Sequence, residues 1–215
     1  MTSAFVLIIT ALLSYLFGSL NFALMISRLM IGDDIRDHGS GNAGTTNVLR
    51  NYGKRFAALT FIGDVAKAVV AILIVVAIMK HYPFFLLSND IPEELSMLYV
   101  KSYSGFFCML GHMFPLFFHF KGGKGVAVAA GMVVMIDYRI AFILLAIFIL
   151  TVVISKYVSL ASVIISVIYP ILLFVFFQNQ FAFLVGLIFT MTILISHRTN
   201  IKNLINHNES KISLF

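Results

Sequence analysis

Four short polar stretches hold nearly all the chemistry this chain could perform. The first reads Gly39-Ser40-Gly41-Asn42-Ala43-Gly44-Thr45-Thr46-Asn47-Val48-Leu49-Arg50. Glycines alternate with small hydroxyl and amide residues, and an arginine follows. Glycine lets the backbone approach a ligand closely, while Ser, Thr and Asn supply neutral donors. The composition suits a phosphate cradle of backbone N–H groups, and it also suits a flexible loop of turn residues. The second stretch runs from Gly111-His112-Met113-Phe114-Pro115 to Lys121-Gly122-Gly123-Lys124-Gly125, just ahead of an apolar run. A helix opening there would aim free amides and its dipole at an anion near Lys124. It is not a Walker A loop: no glycine lies five residues before Gly123, and Gly125 stands where a magnesium-binding Ser or Thr belongs. Two snorkelling lysines are the plainer alternative, and the glycines beside them weigh against it.

The third stretch places hydroxyls at Ser155, Ser159 and Ser162, spacings that put them on one helical face. Serines in membrane helices also commonly bond their own backbone. In the fourth, Ser196-His197-Arg198-Thr199-Asn200-Ile201, His197 and Asn200 sit one turn apart, within reach of one ligand. Asp64 and Lys67 lie three apart inside an apolar segment, where an ion pair that steadies the site is the favoured reading. Asp33, Asp34 and Asp37 have no matching carboxylate or histidine cluster elsewhere, so no metal is predicted, and no cofactor.

The elements that must position these residues are membrane helices. Of 215 residues 60% are hydrophobic and only 11% charged, with a mean hydropathy of +1.01. So few charges cannot cover a water-facing surface, and lipid must be the solvent. The net charge of +6 is not clustered as a nucleic-acid partner would require. The lone Cys108 excludes an internal disulfide and reads as a small buried hydrophobe. The N-terminal run lacks a basic start and a convincing cleavage site, so a retained helix is expected. Apolar segments fall near 4–27, 56–79, 102–118, 125–137, 140–155, 158–177 and 181–196. The fourth is too short to cross alone, unless its glycine-rich flank dips to membrane depth inside a protein-lined cavity.

With the N-terminus outside, the inner connections hold Arg28, Arg36, Arg50, Lys54, Arg55, Lys121, Lys124, Lys156, Arg198, Lys202 and Lys211, against Lys80, Lys101 and Arg139 outside. The positive-inside rule then puts the C-terminus in the cytoplasm. The outer loop 80–101, with Asp90, Glu93 and Glu94, is expected to lie along the interface, and Pro92-Glu93-Glu94 to start a helix.

The polar stretches together resemble the signature blocks of the bacterial acyl-phosphate:glycerol-3-phosphate acyltransferases, the PlsY family. The resemblance runs through residues 40–50, 111–127, 157–162 and 197–201, in order, along essentially the whole chain. Thr45 departs from the family's usual Ala. Asn206-His207-Asn208-Glu209 matches the family's Gly-x-Glu only loosely, which leaves the role of Glu209 open.

The resemblance implies an all-α integral membrane protein of about seven short transmembrane helices, with glycine-rich loops forming a cytoplasm-facing site. It implies a single polytopic domain over 1–215, a monomer in the bacterial inner membrane. Its activity would be transfer of an acyl group from acyl phosphate to the 1-hydroxyl of glycerol 3-phosphate. Other glycerolipid acyltransferases use His-x4-Asp, and no histidine here has Asp five residues later. Two phosphate substrates call for cations and N–H donors more than for a nucleophile, and acyl phosphate is already activated. His197, Asn200, Lys124 and Ser162 are assigned as catalytic; Arg50 and Lys124 clamp phosphates, with Ser40, Gly41, Asn42, Gly44, Thr46, Asn47, Gly122, Gly123 and Ser159 as further binding groups. His197 and Asn200 orient the acceptor. A substrate phosphate oxygen or His197 takes the proton. The rival class is a phosphate or organic-anion transporter, which should show polarity on both faces and an internal repeat; here polarity is one-sided and no repeat is visible.

Overall fold

The computed structural model describes residues 3–82 and 91–212; the part of the expected interfacial loop that contains Asp90 lies outside them. Among the described residues every regular element is helical. The helices pack as two compact units, residues 1–136 and 137–215.

In the first unit, α1 (Ser3–Ser19) stops where Asn21 turns the chain into an extended conformation. The Asn21 side chain accepts from the Leu24 amide at 3.1 Å and so starts α2 (Phe22–Ile26). The apolar segment 4–27 is therefore two helices. A π turn over Ser27–Ile31 ends α2. Then come α3 (Thr45–Tyr52), α4 (Lys54–Lys80), α5 (Glu93–Met113) and α6 (Val126–Ile136). Pro92 precedes α5, and Glu93 and Glu94 fill its first turn, as the sequence predicted. The helix thus starts well before residue 102 and ends at Met113, ahead of a 3-10 turn at Leu116–Phe118.

Lipid gives helices no hydrophobic reason to associate, so they must pack closely through small residues. A Cβ on Gly18 would collide with the Cys108 carbonyl, and one on Gly111 with that of Tyr15, so α1 and α5 meet backbone to backbone. At Gly131 of α6 the same atom would lie 2.7 Å from the Val65 carbonyl of α4.

The second unit holds α7 (Tyr138–Ser155), α8 (Val158–Phe177), α9 (Gln180–Ser196) and α10 (Arg198–Ile205). Lys156, at φ 65°, separates α7 from α8. That break corrects the expected hydroxyl face: Ser155 ends α7 and donates to Thr151 O at 2.6 Å, so of the three only Ser159 and Ser162 lie on α8. Pro170 lies inside α8 and cannot donate to the Ser166 carbonyl. The Thr190 hydroxyl of α9 donates to that carbonyl instead, at 2.6 Å. Gly186 makes the approach possible, since its Cβ would stand 2.5 Å from the Pro170 Cα.

Among the described residues four stretches are long and apolar enough to cross a membrane: Ala4–Ile31, Lys54–Lys80, Tyr138–Ser155 and Val158–Phe177. Gln180–Ser196 and Arg198–Ile205, bent by 65°, make a fifth if counted as one span. The eleven residues of α6 are too few, as the sequence indicated. Phe142, Ile154 and Phe181 remain exposed, as expected of side chains solvated by hydrocarbon.

Candidate active site

The first polar loop is fastened from below. Ile35, Ala43 and Val48 are fully buried against Ala23 and Leu24 of α2, with Phe118 packed alongside. Gly41 turns left-handed at φ 67°, a conformation that side chains disfavour, and its amide donates to His38 O at 3.0 Å. Asn47 was expected to donate to a phosphate. It is 1% exposed, and its Nδ2 donates to Ile35 O at 3.0 Å and His38 O at 2.9 Å. Its Oδ1 accepts from the Ser40 amide at 3.1 Å. Both amide hydrogens therefore serve the loop, and Asn47 shapes the cradle from within. The Gly44 carbonyl accepts from the Asn47 and Val48 amides, so the Thr45 and Thr46 amides fall outside the ladder of α3. Ser40 is exposed, Asn42 and Thr46 are half-buried, and Arg50 is exposed in the last turn of α3.

Charged groups surround this loop. Asp34 accepts from Arg36 at 2.7 Å and Arg28 at 2.8 Å, and the Arg36 hydrogen bond above all holds its carboxyl well below the usual range. Burial first, and then the hydrogen bond that it donates to Asp33 at 2.8 Å, push the Tyr52 hydroxyl up to about 12. The Tyr52 donor in turn lowers Asp33.

In the second loop the amides of Gly122 and Gly123 donate to Met113 O and His112 O, both at 3.1 Å. These amides were expected to face an anion; they fold the loop back onto the end of α5 instead. A Cβ on Gly123 would collide with the His112 ring and lie 2.6 Å from Ala43 O, so the two loops meet where no side chain fits. Lys124 is half-buried, and the first-turn amides of α6 lie outside the helical ladder.

Beneath both loops lies a buried polar cluster. Lys67 Nζ stands 2.7 Å from Asp64 Oδ1, the ion pair expected from the sequence. It donates to Leu20 O at 2.9 Å, the carbonyl at the break after α1, and lies 2.9 Å from His112 Nδ1. Asn21 Nδ2 donates to Ala43 O at 3.3 Å and reaches His112 Nδ1 at 3.5 Å. His112 Nδ1 faces the Lys67 ammonium, which can only donate, and also lies 3.4 Å from Asp64 Oδ1, while Nε2 stands beside Gly123. Asn21 and His112 received no role in the sequence reading. Their signal was present: an amide and an imidazole stranded in apolar segments, each requiring a partner.

In the second unit, His197 stands at the corner between α9 and α10 and is 3% exposed. Its Nδ1 lies 2.9 Å from Ile193 O, which can only accept. A neutral ring with its proton on Nδ1 would carry its lone pair on Nε2. Asn200 Nδ2 and Ser159 Oγ both donate to Glu209 Oε1 at 2.7 Å. Glu209 thus joins the first turn of α8 to α10. The Ile212 amide adds a bond to Lys156 O at 2.9 Å. Ser162 is buried and donates to Val158 O at 2.9 Å, within its own helix. Among the described residues no group of three or more His, Cys, Asp or Glu is placed to hold a metal ion.

Residues 8–207 match the family model of glycerol-3-phosphate acyltransferase. The chain belongs to this family. It is 39% identical to the glycerol-3-phosphate acyltransferase of Clostridioides difficile, a match covering 95% of each chain. It is 38% identical to that of Mycoplasmopsis agalactiae, over 94% of this chain and 92% of the relative. Among solved structures it is similar to PlsY, an integral membrane glycerol 3-phosphate acyltransferase, in its glycerol 3-phosphate form. The TM-score is 0.82 at 32% identity, over 96% of both chains. The lysophosphatidic acid form of PlsY gives 0.79 at 31%, over 96% of this chain and 95% of that one. With its apolar helices, the chain is an integral membrane enzyme of the glycerol-3-phosphate acyltransferase family.

Proposed function

We propose that this chain transfers an acyl group from acyl phosphate to the 1-hydroxyl of glycerol 3-phosphate. The products are 1-acyl-glycerol 3-phosphate and phosphate, in the first acylation of bacterial phospholipid synthesis. The observation that carries this reading is the likeness, along nearly the whole chain, to PlsY in forms named for glycerol 3-phosphate and lysophosphatidic acid. In the reaction the 1-hydroxyl oxygen attacks the acyl carbon, the bond from that carbon to the phosphate oxygen breaks, and phosphate departs. The hydroxyl proton passes to a substrate phosphate oxygen, or to His197 and from there to phosphate. Because phosphate leaves readily, positioning and charge stabilisation supply most of the rate.

Within the first unit, Arg50 and Lys124 hold phosphate groups. The Ser40 and Thr46 hydroxyls and the glycine-bearing backbone at Gly41, Asn42 and Gly44 complete the cradle. Asn47, Gly122 and Gly123 keep the loops in shape. Within the second unit, His197 and Asn200 orient the acceptor, while Ser159 and Ser162 line the same end of α8. The family model crosses both units, which supports a single acyltransferase domain. The chain works as a monomer with seven membrane helices in the bacterial inner membrane, N-terminus outside and C-terminus in the cytoplasm.

The test is purified protein in detergent, offered acyl phosphate, acyl-CoA and acylated carrier protein in parallel. Lysophosphatidic acid should form with acyl phosphate alone. Product from acyl-CoA at a comparable rate, or none from any donor, would overturn the reading. The orientation is tested with His81→Cys, with Cys108 removed: an impermeant thiol reagent should label it in intact cells, and labelling only after lysis would reverse it.

A further inference from the structure

His119 and Phe120 are consecutive residues at φ 57°, a left-handed pair that side chains disfavour. They stand directly before the Lys121-Gly122-Gly123-Lys124 loop, so that loop leaves from a costly turn. Such a conformation persists only where its surroundings over-determine it. Part of the hold is local: the Phe118 and Phe120 amides donate to Pro115 O at 3.1 and 3.0 Å. The rest arrives from far along the chain. Arg36 Nη1 donates to Phe118 O at 3.0 Å and to Lys121 O at 3.2 Å, the carbonyls on either side of the left-handed pair. Asp34 grips the other edge of the guanidinium, accepting from Nε at 3.0 Å and Nη2 at 2.7 Å. Arg28, also bonded to Asp34, lies over the Phe118 ring at 5.4 Å from its centroid.

We propose that Arg36, held by Asp34, is a positioning residue: it fixes the left-handed turn at His119 and Phe120, and through it the loop that carries Lys124. The inference rests on the phosphate role proposed for Lys124. It gives Arg36 a task beyond its share in the positive-inside charge. A guanidinium turned to a carboxylate on one edge and to two carbonyls on the other has little left for an external anion. The fork geometry is essential, because an ammonium cannot bridge two carbonyls while answering a carboxylate edge-on.

The test uses full-length protein in detergent and the variants Arg36→Lys, Arg36→Gln, Asp34→Asn and the double Arg36→Gln/Asp34→Asn. Two readouts are taken: steady-state kinetics with both substrates, and hydrogen exchange of the amides in residues 116–125. Each single variant should lose about tenfold in kcat/KM, mainly through a raised KM for a phosphate substrate, the size expected for charge-assisted bonds at a part-exposed site. The double variant should be no worse than the poorer single one, because both act through one contact. The Gly122 and Gly123 amides should exchange faster, with α8 unchanged. Wild-type kinetics and protection in Arg36→Lys would overturn the proposal. So would an intact Asp34→Asn beside an inactive Arg36→Gln, which would make Arg36 a direct ligand. A fall in kcat alone, with protection lost throughout residues 1–136, would mean a general folding role and would also overturn it. Wild-type protein that makes no lysophosphatidic acid would defeat the acyltransferase reading, and the exchange result would still decide the role of Arg36 in the turn.

Discussion

Replacing Lys67 with methionine should destabilise the first unit severely. The side chains of Lys67 and Asp64 are 2% and 1% exposed, so removing the ammonium strands a carboxylate that water cannot reach. Breaking one side of a buried pair costs about 3–5 kcal/mol. Lys67 also donates to Leu20 O, which has left the helical ladder of α1, and leaving that carbonyl unmet adds about 1–3 kcal/mol. A sum of roughly 4–8 kcal/mol consumes most of a typical folding free energy of about 5–15 kcal/mol. Asp64→Leu/Lys67→Met should recover the charge term and keep only the carbonyl term, since apolar replacement of a whole buried pair is often neutral. Cys108 supplies the assay, being fully buried in α5 and the chain's single thiol. Its rate of modification by a thiol reagent in detergent, measured against temperature, reports opening of this unit. The order of resistance should be wild type, then double variant, then Lys67→Met. If Lys67→Met resists as well as wild type, or the double variant no better than the single, the pair does not carry that stability.

Lys124→Ala should lower kcat/KM by roughly ten- to hundredfold, the loss of a charge-assisted contact of about 1.5–3 kcal/mol, and Lys124→Arg should not restore it; near-native turnover in Lys124→Ala would remove the phosphate role. Glu209→Ala releases the Ser159 and Asn200 donors and should cost about tenfold or more in kcat/KM, with wild-type rates as the refuting result. Thr190→Val leaves Ser166 O without its donor and should reduce stability by about 1–3 kcal/mol while kcat stays unchanged; unaltered thermal inactivation would contradict this. The depressed Asp34 carboxyl contributes stability that is complete above its ordinary value of 3.8 and is lost only as pH falls through the lower folded value. Amide protection across residues 116–125, corrected for intrinsic exchange, should therefore hold between about pH 7 and 5, and loosening within that window would exclude Asp34 as its anchor.

Much of the fold was legible because lipid imposes a simple rule: apolar runs become helices, and a lone charge pair inside one must be matched. That rule located α4 with its Asp64–Lys67 pair, and Pro92-Glu93-Glu94 marked the start of α5. The family motifs picked out the polar loops as candidates. They did not reveal which donors turn inward. Asn47 looks from its sequence like a ligand donor, yet Ile35 O and His38 O occupy it. The Gly122 and Gly123 amides look open, and the end of α5 takes them. The break at Asn21 was hidden inside one apolar segment, because its cause is a cap together with a bond to Ala43 O, 22 residues away. Glu209 was obscured because its partners, Ser159 and Asn200, belong to two different motifs. Residue types announce that a bond is needed; only the fold names the partner.

The Asp64–Lys67 pair also bears on how the chain enters the membrane. Each charge placed singly at a helix centre opposes insertion by about 2.5–3.5 kcal/mol. Three residues apart on one helix, the two can meet before any neighbour arrives. The segment that becomes α4 can therefore partition into lipid during synthesis with its charges already matched. Of the pair's other partners, the Leu20 carbonyl lies on the segment made before α4 and the His112 imidazole on the one made after it, and neither is needed to match the two charges. The order of assembly is thereby relaxed: α5, made after α4, is not needed to rescue it.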